Sequence, residues 1–144
     1  MKAPSAAIAV ALAAALCRAA DAPGPIVKSA GEVEWHVSGS LPPGAEFSLI
    51  YEDAKTHAVE TIVRMPKGYA LPAHSHTYDE AIYMVKGKLI LGFGGHDQTL
   101  TAGGYAVIPA ETVFTMKAEG FGGAQFIASF NGPFDAKLTV PAKP

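Results

Sequence analysis

Short runs rich in Val, Ile, Phe, Tyr and Thr recur along the chain after residue 31, and clusters of Gly, Pro, Asp and Asn separate them. Runs of this length and composition predict β-strands. Beyond the first twenty residues, no stretch shows the 3.6-residue apolar repeat that an amphipathic helix of ten or more residues requires. The predicted strands are residues 33–37, 46–53, 57–65, 81–85, 88–93, 105–108, 113–117, 124–130 and 136–140.

Regularly spaced short strands without helices indicate an all-β fold, either a sandwich or a barrel. The length of 144 residues allows one domain. Because 49% of the residues are hydrophobic and only 17% are charged, the composition excludes a disordered chain. Fifteen Gly and eleven Pro favour strands joined by tight turns.

The first twenty residues have the layout of a secretory signal peptide. Lys2 supplies a positive charge, residues 6–16 form an apolar run of eleven, and small residues follow. That run is shorter than the ~20 residues that a transmembrane helix needs. We therefore expect residues 1–20 to be a cleaved signal peptide and residues 21–31 an N-terminal arm or linker. Residues 32–144 would then form the domain of a secreted or periplasmic protein.

Cys17 is the only cysteine, and it lies within the predicted signal peptide. Leu16 stands where lipoprotein processing requires a small residue, so the sequence argues against a lipid anchor at Cys17. The mature protein would have no disulfide and no thiolate metal ligand. The formal net charge of −2 provides no basic surface for nucleic acid, and we expect no membrane insertion after signal cleavage.

The side chains best suited to metal chemistry lie between Gly68 and Gly87. His74 and His76 are two residues apart, so on an extended strand both point to one face with Cα atoms roughly 6.5 Å apart. Glu80 follows a three-residue bend and can bring its carboxylate to the same point. Two imidazoles and one carboxylate are the donor set of the 2-His-1-carboxylate metal sites. Alternatively, the three polar groups satisfy one another, which is costly in apolar surroundings.

The spacing Gly-x5-His-x-His-x3-Glu-x6-Gly over residues 68–87 resembles the first motif of the cupin family at every fixed position. The second cupin motif, Gly-x5-Pro-x-Gly-x2-His, is partly present, with Gly103 and Pro109 in place. Glu111 stands at its internal Gly and Phe114 at its His. The resemblance covers residues 41–140 and implies a jelly-roll β-barrel, the double-stranded β-helix of cupins.

Members of that family usually hold a metal with three His and one Glu. The resemblance therefore implies one divalent metal ion bound by His74, His76 and Glu80, with Phe114 in place of the fourth ligand. Three protein ligands suffice for a catalytic site, which keeps positions open. Fe, Mn, Ni and Zn all tolerate this donor set. The same substitution also fits a barrel that has lost its metal.

A pocket beside these ligands would be apolar. Ile82 and Met84 share the strand parity of Glu80, so we expect them on the same face as the carboxylate. Tyr78, in the bend between ligands, is a candidate for proton transfer, although such a residue more often shapes the turn. His36 and His57 have no partner at ligand spacing and are interpreted as ordinary strand residues, and Tyr51 and Tyr105 are placed in the core. The predicted pocket-lining residues are Phe114, Met84, Ile82 and Phe126.

Three functions from different classes fit these residues. An enzyme would use the metal on a small organic substrate, as a cupin-type dioxygenase, isomerase or lyase. A non-catalytic barrel would bind a small ligand as a sensor or scavenger. A degenerate, metal-free cupin would act through its surface, usually as a homodimer. A barrel does not by itself decide among them.

Overall fold

The computed structural model describes residues 24–139, and the predicted signal peptide lies outside them. Nine β-strands and one short 3₁₀ helix, Ala30–Glu32, make up the regular structure of this part of the chain. No helix between residues 24 and 139 is long and apolar enough to cross a membrane. The strands are β1 (His36–Val37), β2 (Glu46–Glu52), β3 (Val59–Met65), β4 (Ala70–Ser75), β5 (Glu80–Phe93), β6 (His96–Thr101), β7 (Tyr105–Ile108), β8 (Phe114–Phe130) and β9 (Lys137–Leu138).

All the strand pairs are antiparallel, in the order β1-β2-β3-β8-β4-β9, and β5 pairs with β6, β7 and β8. The two longest strands, β5 and β8, each serve both halves of the sheet. The second half of β8 lies between β3 and the start of β5, and its first half lies between β4 and the end of β5. This arrangement curls the sheet into a jelly-roll barrel, as the sequence predicts.

The curl requires the two long strands to bend at the same level, and glycines permit that bend. The β5–β8 register shifts twice between Met84 and Lys88. Gly87 lies within this shift with a φ of +80°, and a Cβ atom there would lie 1.9 Å from the carbonyl oxygen of Gly123. Only glycine combines that dihedral with such a close approach of two backbones.

The core lies inside the curl and is built by strict alternation along the long strands. Glu80, Ile82 and Met84 are buried, whereas Ala81, Tyr83 and Val85 between them are exposed. The sequence-predicted parity of Glu80, Ile82 and Met84 is therefore present in the barrel. The largest fully buried apolar side chains are Phe114, Phe126, Ile82, Met84, Leu89 and Leu91.

Four predicted strands are in fact two. Residues 81–85 and 88–93 belong to β5, and residues 113–117 and 124–130 belong to β8, because glycines bend these strands without ending them. The sequence did not predict β4, which contains Pro72 at a register shift, or β6, which is polar. Gly94 and Gly95, both with positive φ, form the turn between β5 and β6. His96, the first residue of β6, pairs with Phe93, the last residue of β5.

Two tyrosines predicted in the core are exposed. Tyr105 alternates outward on β7 and is 73% exposed. Tyr51 is turned outward by a bulge in β2, where Leu49 pairs with Thr61 and Tyr51 pairs with Glu60, so that Ile50 is the extra residue. Without that extra residue, Tyr51 would face the barrel interior.

Candidate metal site and ligand cavity

The inner face of the barrel encloses a cavity of about 490 Å³. Its wall is mostly apolar and comes from β2, β3, β4 and β8, including Phe47, Val59, Val63 and Phe126. The cavity also reaches the predicted ligands His74, His76 and Glu80. Pockets of this size and character bind drug-sized molecules in proteins generally.

The three predicted ligands come from two neighbouring strands. His74 lies near the end of β4, His76 directly follows that strand, and Glu80 begins β5. All three are buried, and Glu80 is only 4% exposed. The imidazole rings of His74 and His76 have centroids 5.1 Å apart, and His76 Nε2 lies 3.5 Å from Glu80 Oε2. The structure therefore brings the three side chains to one end of the cavity.

Both imidazoles are oriented through Nδ1. His74 Nδ1 lies 2.8 Å from the carbonyl oxygen of Pro72, and His76 Nδ1 contacts the carbonyl oxygen of Asp135. A proton on Nδ1 satisfies such a carbonyl and leaves Nε2 with a free lone pair. Histidines that ligate metals almost always have an outer partner of this kind.

The Glu80 carboxylate has one oxygen that is not satisfied. Its Oε2 is a buried side-chain oxygen without a hydrogen-bond partner within residues 24–139. Burial raises the pKa of Glu80 to about 8, and burial lowers the pKa of His74 to about 4. Burial also lowers the pKa of His76. Desolvation thus favours the neutral form of all three groups.

In the part of the chain that the structure describes, no three His, Cys, Asp or Glu side chains are arranged in a ready metal-holding geometry. The donor types nevertheless fit a divalent cation, since two imidazoles and an unsatisfied carboxylate oxygen lie together at one buried end of the cavity. A ligating position would require the side chains to draw closer around the ion.

Phe114 lies beside the imidazoles, as the partial second motif leads us to expect. It pairs with His74 across β4 and β8, and its ring centroid is 4.2 Å from that of His74 and 5.9 Å from that of His76. The side chain is fully buried. Glu111, at the internal Gly of that motif, has the left-handed φ of +61° that a glycine would adopt easily.

The predicted pocket-lining residues divide into two groups. Phe126 lines the cavity. Phe114, Ile82 and Met84 are buried in the core and do not belong to the cavity wall.

Tyr78, the catalytic candidate, lies in the bend between β4 and β5 and is 37% exposed. A Cβ atom at Gly132 would meet its ring at 2.5 Å, so the ring packs against that glycine. Tyr78 does not line the cavity. The neighbouring Asp79 accepts hydrogen bonds from Ala110 N and Asn131 Nδ2, which fixes the bend.

The segment that closes this end of the cavity is not predicted by the sequence. Pro133, Phe134 and Ala136 line it, and Asp135 holds the segment to the loop after β4. The Asp135 carboxylate accepts hydrogen bonds from Thr77 N and Thr77 Oγ1, at 2.9 and 2.5 Å. Because Thr77 and Asp135 are 58 residues apart in the sequence, no local sequence pattern predicts their contact.

His57 is not the ordinary strand residue that the sequence predicts. It precedes β3 in a tight turn with a φ of +56°, and it lines the cavity together with Glu52. The available signal was the run of turn-forming residues 53–56, Asp-Ala-Lys-Thr, which places the next residue outside the strand.

Comparison with known proteins identifies the relatives of this fold. The family model of the cupin domain matches residues 61–130. KdgF from Halomonas sp. is 17% identical with a TM-score of 0.63, covering 75% of this chain and 94% of that one. A putative acetylacetone dioxygenase from Methylibium petroleiphilum PM1 is 21% identical with a TM-score of 0.61, covering 83% and 86%.

A third similar structure is that of Rhodobacter sphaeroides SigE in complex with the anti-sigma ChrR. It is 20% identical with a TM-score of 0.58, covering 71% of this chain and 50% of that one. No curated protein matches the sequence. At these identities the structural matches establish the fold, and the function has to be argued from the site itself.

Proposed function

Because the chain belongs to the cupin superfamily, we propose that its barrel binds one divalent metal ion through His74, His76 and Glu80. The adjoining cavity would receive a small organic molecule. The observation that carries this proposal is the buried Glu80 Oε2, which has no hydrogen-bond partner in the described part of the chain and lies beside two imidazoles whose Nδ1 atoms are already engaged. A buried unpaired carboxylate oxygen is costly, and a cation removes that cost.

The donor set suits Fe, Mn, Ni or Zn, and the absence of a thiolate disfavours copper(I). A bound ion would supply Lewis acidity or, if redox-active, oxygen activation to a molecule in the cavity. The residues of the chain orient the site and exclude water. The carbonyls of Pro72 and Asp135 fix the imidazoles, and Phe126, Phe130 and Phe134 enclose the space next to them.

Elemental analysis of protein purified without an affinity tag tests the metal proposal. We expect close to one equivalent of a divalent metal per chain, and loss of that metal in His76→Ala. His36→Ala is the matched control, since His36 is an exposed strand histidine in β1. Metal-free parent protein that takes up no divalent ion on titration would overturn the proposal.

A non-catalytic ligand-binding role is the second candidate, and Phe114 favours it. The phenyl ring of Phe114 lies beside His74, where cupins usually have their fourth metal ligand. Losing that ligand matters more for turnover at a metal than for binding a small molecule. Substrate-dependent oxygen uptake or product formation by the metal-loaded protein would favour the enzyme. Ligand binding without turnover would favour the sensor or scavenger.

We also propose that the mature protein is secreted or periplasmic and forms a homodimer. The signal-like residues 1–20 support export. The dimer proposal is supported by an exposed apolar patch on the outer face of β5 and β7, whose residues alternate outward on paired strands. This outer patch consists of Tyr83, Val85, Tyr105 and Val107, which are between 46% and 73% exposed.

A further inference from the structure

The mouth of the cavity carries a second polar group, opposite the predicted ligands. Glu52 and His57 both line the cavity, with side chains 46% and 59% exposed, and His57 Nδ1 lies 2.8 Å from Glu52 Oε1. The apolar residues Val37 and Leu49, also exposed, share this mouth. The bulge in β2 is the reason that Glu52, rather than Tyr51, occupies the inward-facing position beside Val59.

The strand register places this pair relative to the predicted metal ligands. Glu80 pairs with Phe130, Phe130 pairs with Val59, and Val59 pairs with Glu52, so the four residues form one row across β5, β8, β3 and β2. Three inter-strand steps correspond to about 14 Å along the sheet. Because the sheet curls, the direct path through the cavity is shorter. The row has a carboxylate at each end and apolar side chains between them.

The Glu52–His57 pair is held by the turn that separates its members. The Asp53 carboxylate accepts hydrogen bonds from Lys55 N, Thr56 N and Thr56 Oγ1, and His57 N donates to the Asp53 carbonyl at 2.9 Å. With Oε1 facing His57, Glu52 Oε2 is available to a ligand. The other carboxylate at the mouth, Glu46, is already paired with Arg64 at 2.6 Å.

We propose that the cavity binds an elongated, mainly apolar molecule with two different polar ends. One end carries an oxygen group that faces His74, His76 and Glu80, and this part of the inference rests on the proposed metal function. The other end carries a hydrogen-bond donor, a hydroxyl or an ammonium, which Glu52 accepts at the mouth. Glu52 is then a specificity-determining residue, and the apolar wall between the ends sets the length of the molecule.

Calorimetric titration of the metal-loaded protein with octanoate and 8-hydroxyoctanoate tests this inference. The two probes share a carboxylate and an apolar chain, and they differ only in the terminal hydroxyl. Because Glu52 is half exposed, its hydrogen bond should contribute no more than an ordinary net hydrogen bond, so 8-hydroxyoctanoate should bind roughly 3- to 10-fold more tightly. In Glu52→Ala that preference should disappear. Glu60→Ala is the matched control, because Glu60 is exposed on the outer face of β3.

Metal content measured on the same samples separates the two proposals. Protein that holds its metal but binds neither probe, or binds both equally, overturns the inference and leaves the metal site standing. Protein without metal that still prefers 8-hydroxyoctanoate in a Glu52-dependent way supports the mouth group and contradicts the metal function. If Glu52→Ala does not fold, equal binding of the two probes by the parent protein still overturns the inference.

Discussion

At the scale of single residues, Glu80 makes the stability of the metal-free protein depend on pH. Burial raises the pKa of Glu80 to about 8 from an ordinary 4.5, so the folded state keeps a proton that the unfolded state has released. Stability therefore falls as pH rises through this window. The lowered pKa values of His74 and His76 act in the opposite direction, but only below their ordinary value of 6.5.

Above pH 6.5, of these three groups only Glu80 still makes the stability depend on pH. Urea unfolding in the presence of a chelator should show the free energy of unfolding decreasing by about 1–2 kcal/mol between pH 6.5 and pH 8. Glu80→Gln should remove this decrease, and Glu60→Gln should keep it. An equal slope in Glu80→Gln and the parent protein would show that Glu80 is not the group responsible.

Phe114 offers a second test at this scale. Because its ring centroid lies 4.2 Å from that of His74, an imidazole at position 114 can reach the same point as the other ligands. We expect Phe114→His to raise metal affinity roughly tenfold or more, since even outer partners of metal ligands change affinity by that factor. Phe114→Leu, which removes the ring and adds no donor, is the control. Unchanged affinity in Phe114→His, measured by competition with a chelator, would contradict the metal site.

At the scale of elements, residues 131–139 close the site from outside the main barrel strands. β9 pairs with the end of β4 through His74 and Leu138, and Asp135 accepts two hydrogen bonds from Thr77. Asp135→Ala should destabilise the protein by about 1–2 kcal/mol and weaken metal binding roughly tenfold, because the carbonyl that orients His76 belongs to the same residue. Asp97→Ala, in β6, should affect neither. Unaltered metal affinity in Asp135→Ala would show that this segment does not position His76.

The bend of β5 against β8 provides a test of the fold itself. Gly87 and Gly68 have nearly the same φ, +80° and +83°, but only Gly87 has a backbone atom where a Cβ would stand. Alanine at either position pays the left-handed strain of about 1–2 kcal/mol. Gly87→Ala should cost at least about 2 kcal/mol more than Gly68→Ala in chemical denaturation, because two strands must move apart. Equal losses would contradict the close approach of Gly87 and Gly123.

The elements that the sequence could predict are those with a local signal. A short run rich in Tyr, Val and Ile predicts the bounds of β7, and the two-residue period of a strand places Glu80, Ile82 and Met84 on one face. A fixed spacing of donor types gives His74 and His76 their common end of the cavity. Each of these signals is contained within about twenty residues.

What the sequence could not predict depends on distant contacts. The extra residue in β2 exists only relative to the register of β3, and it turns Tyr51 outward and Glu52 inward. β6 is polar and almost entirely exposed, so its sequence carries no hydrophobic signal, and only its pairing with β5 identifies it as a strand. The closure by Asp135 depends on Thr77, far away along the chain.

At the scale of the whole molecule, the outer patch on β5 and β7 predicts a homodimer. Exposed apolar residues that are contiguous on one sheet face mark interaction surfaces. Light scattering during gel filtration should give the mass of two chains for the parent protein and of one chain for Tyr105→Lys. Phe121→Lys is the control, since Phe121 is fully exposed at the bend of β8, away from this patch. A monomeric parent protein would contradict the dimer proposal, and the proposals about the cavity would not be affected.

The most direct test of the central claim is a crystal structure of untagged protein with anomalous data collected at the absorption edge of the metal found by elemental analysis. The account predicts one anomalous peak at the inner end of the cavity, within about 2.0–2.2 Å of His74 Nε2, His76 Nε2 and a Glu80 carboxylate oxygen. A peak elsewhere, or no peak with Glu80 hydrogen-bonded to His76, would contradict it.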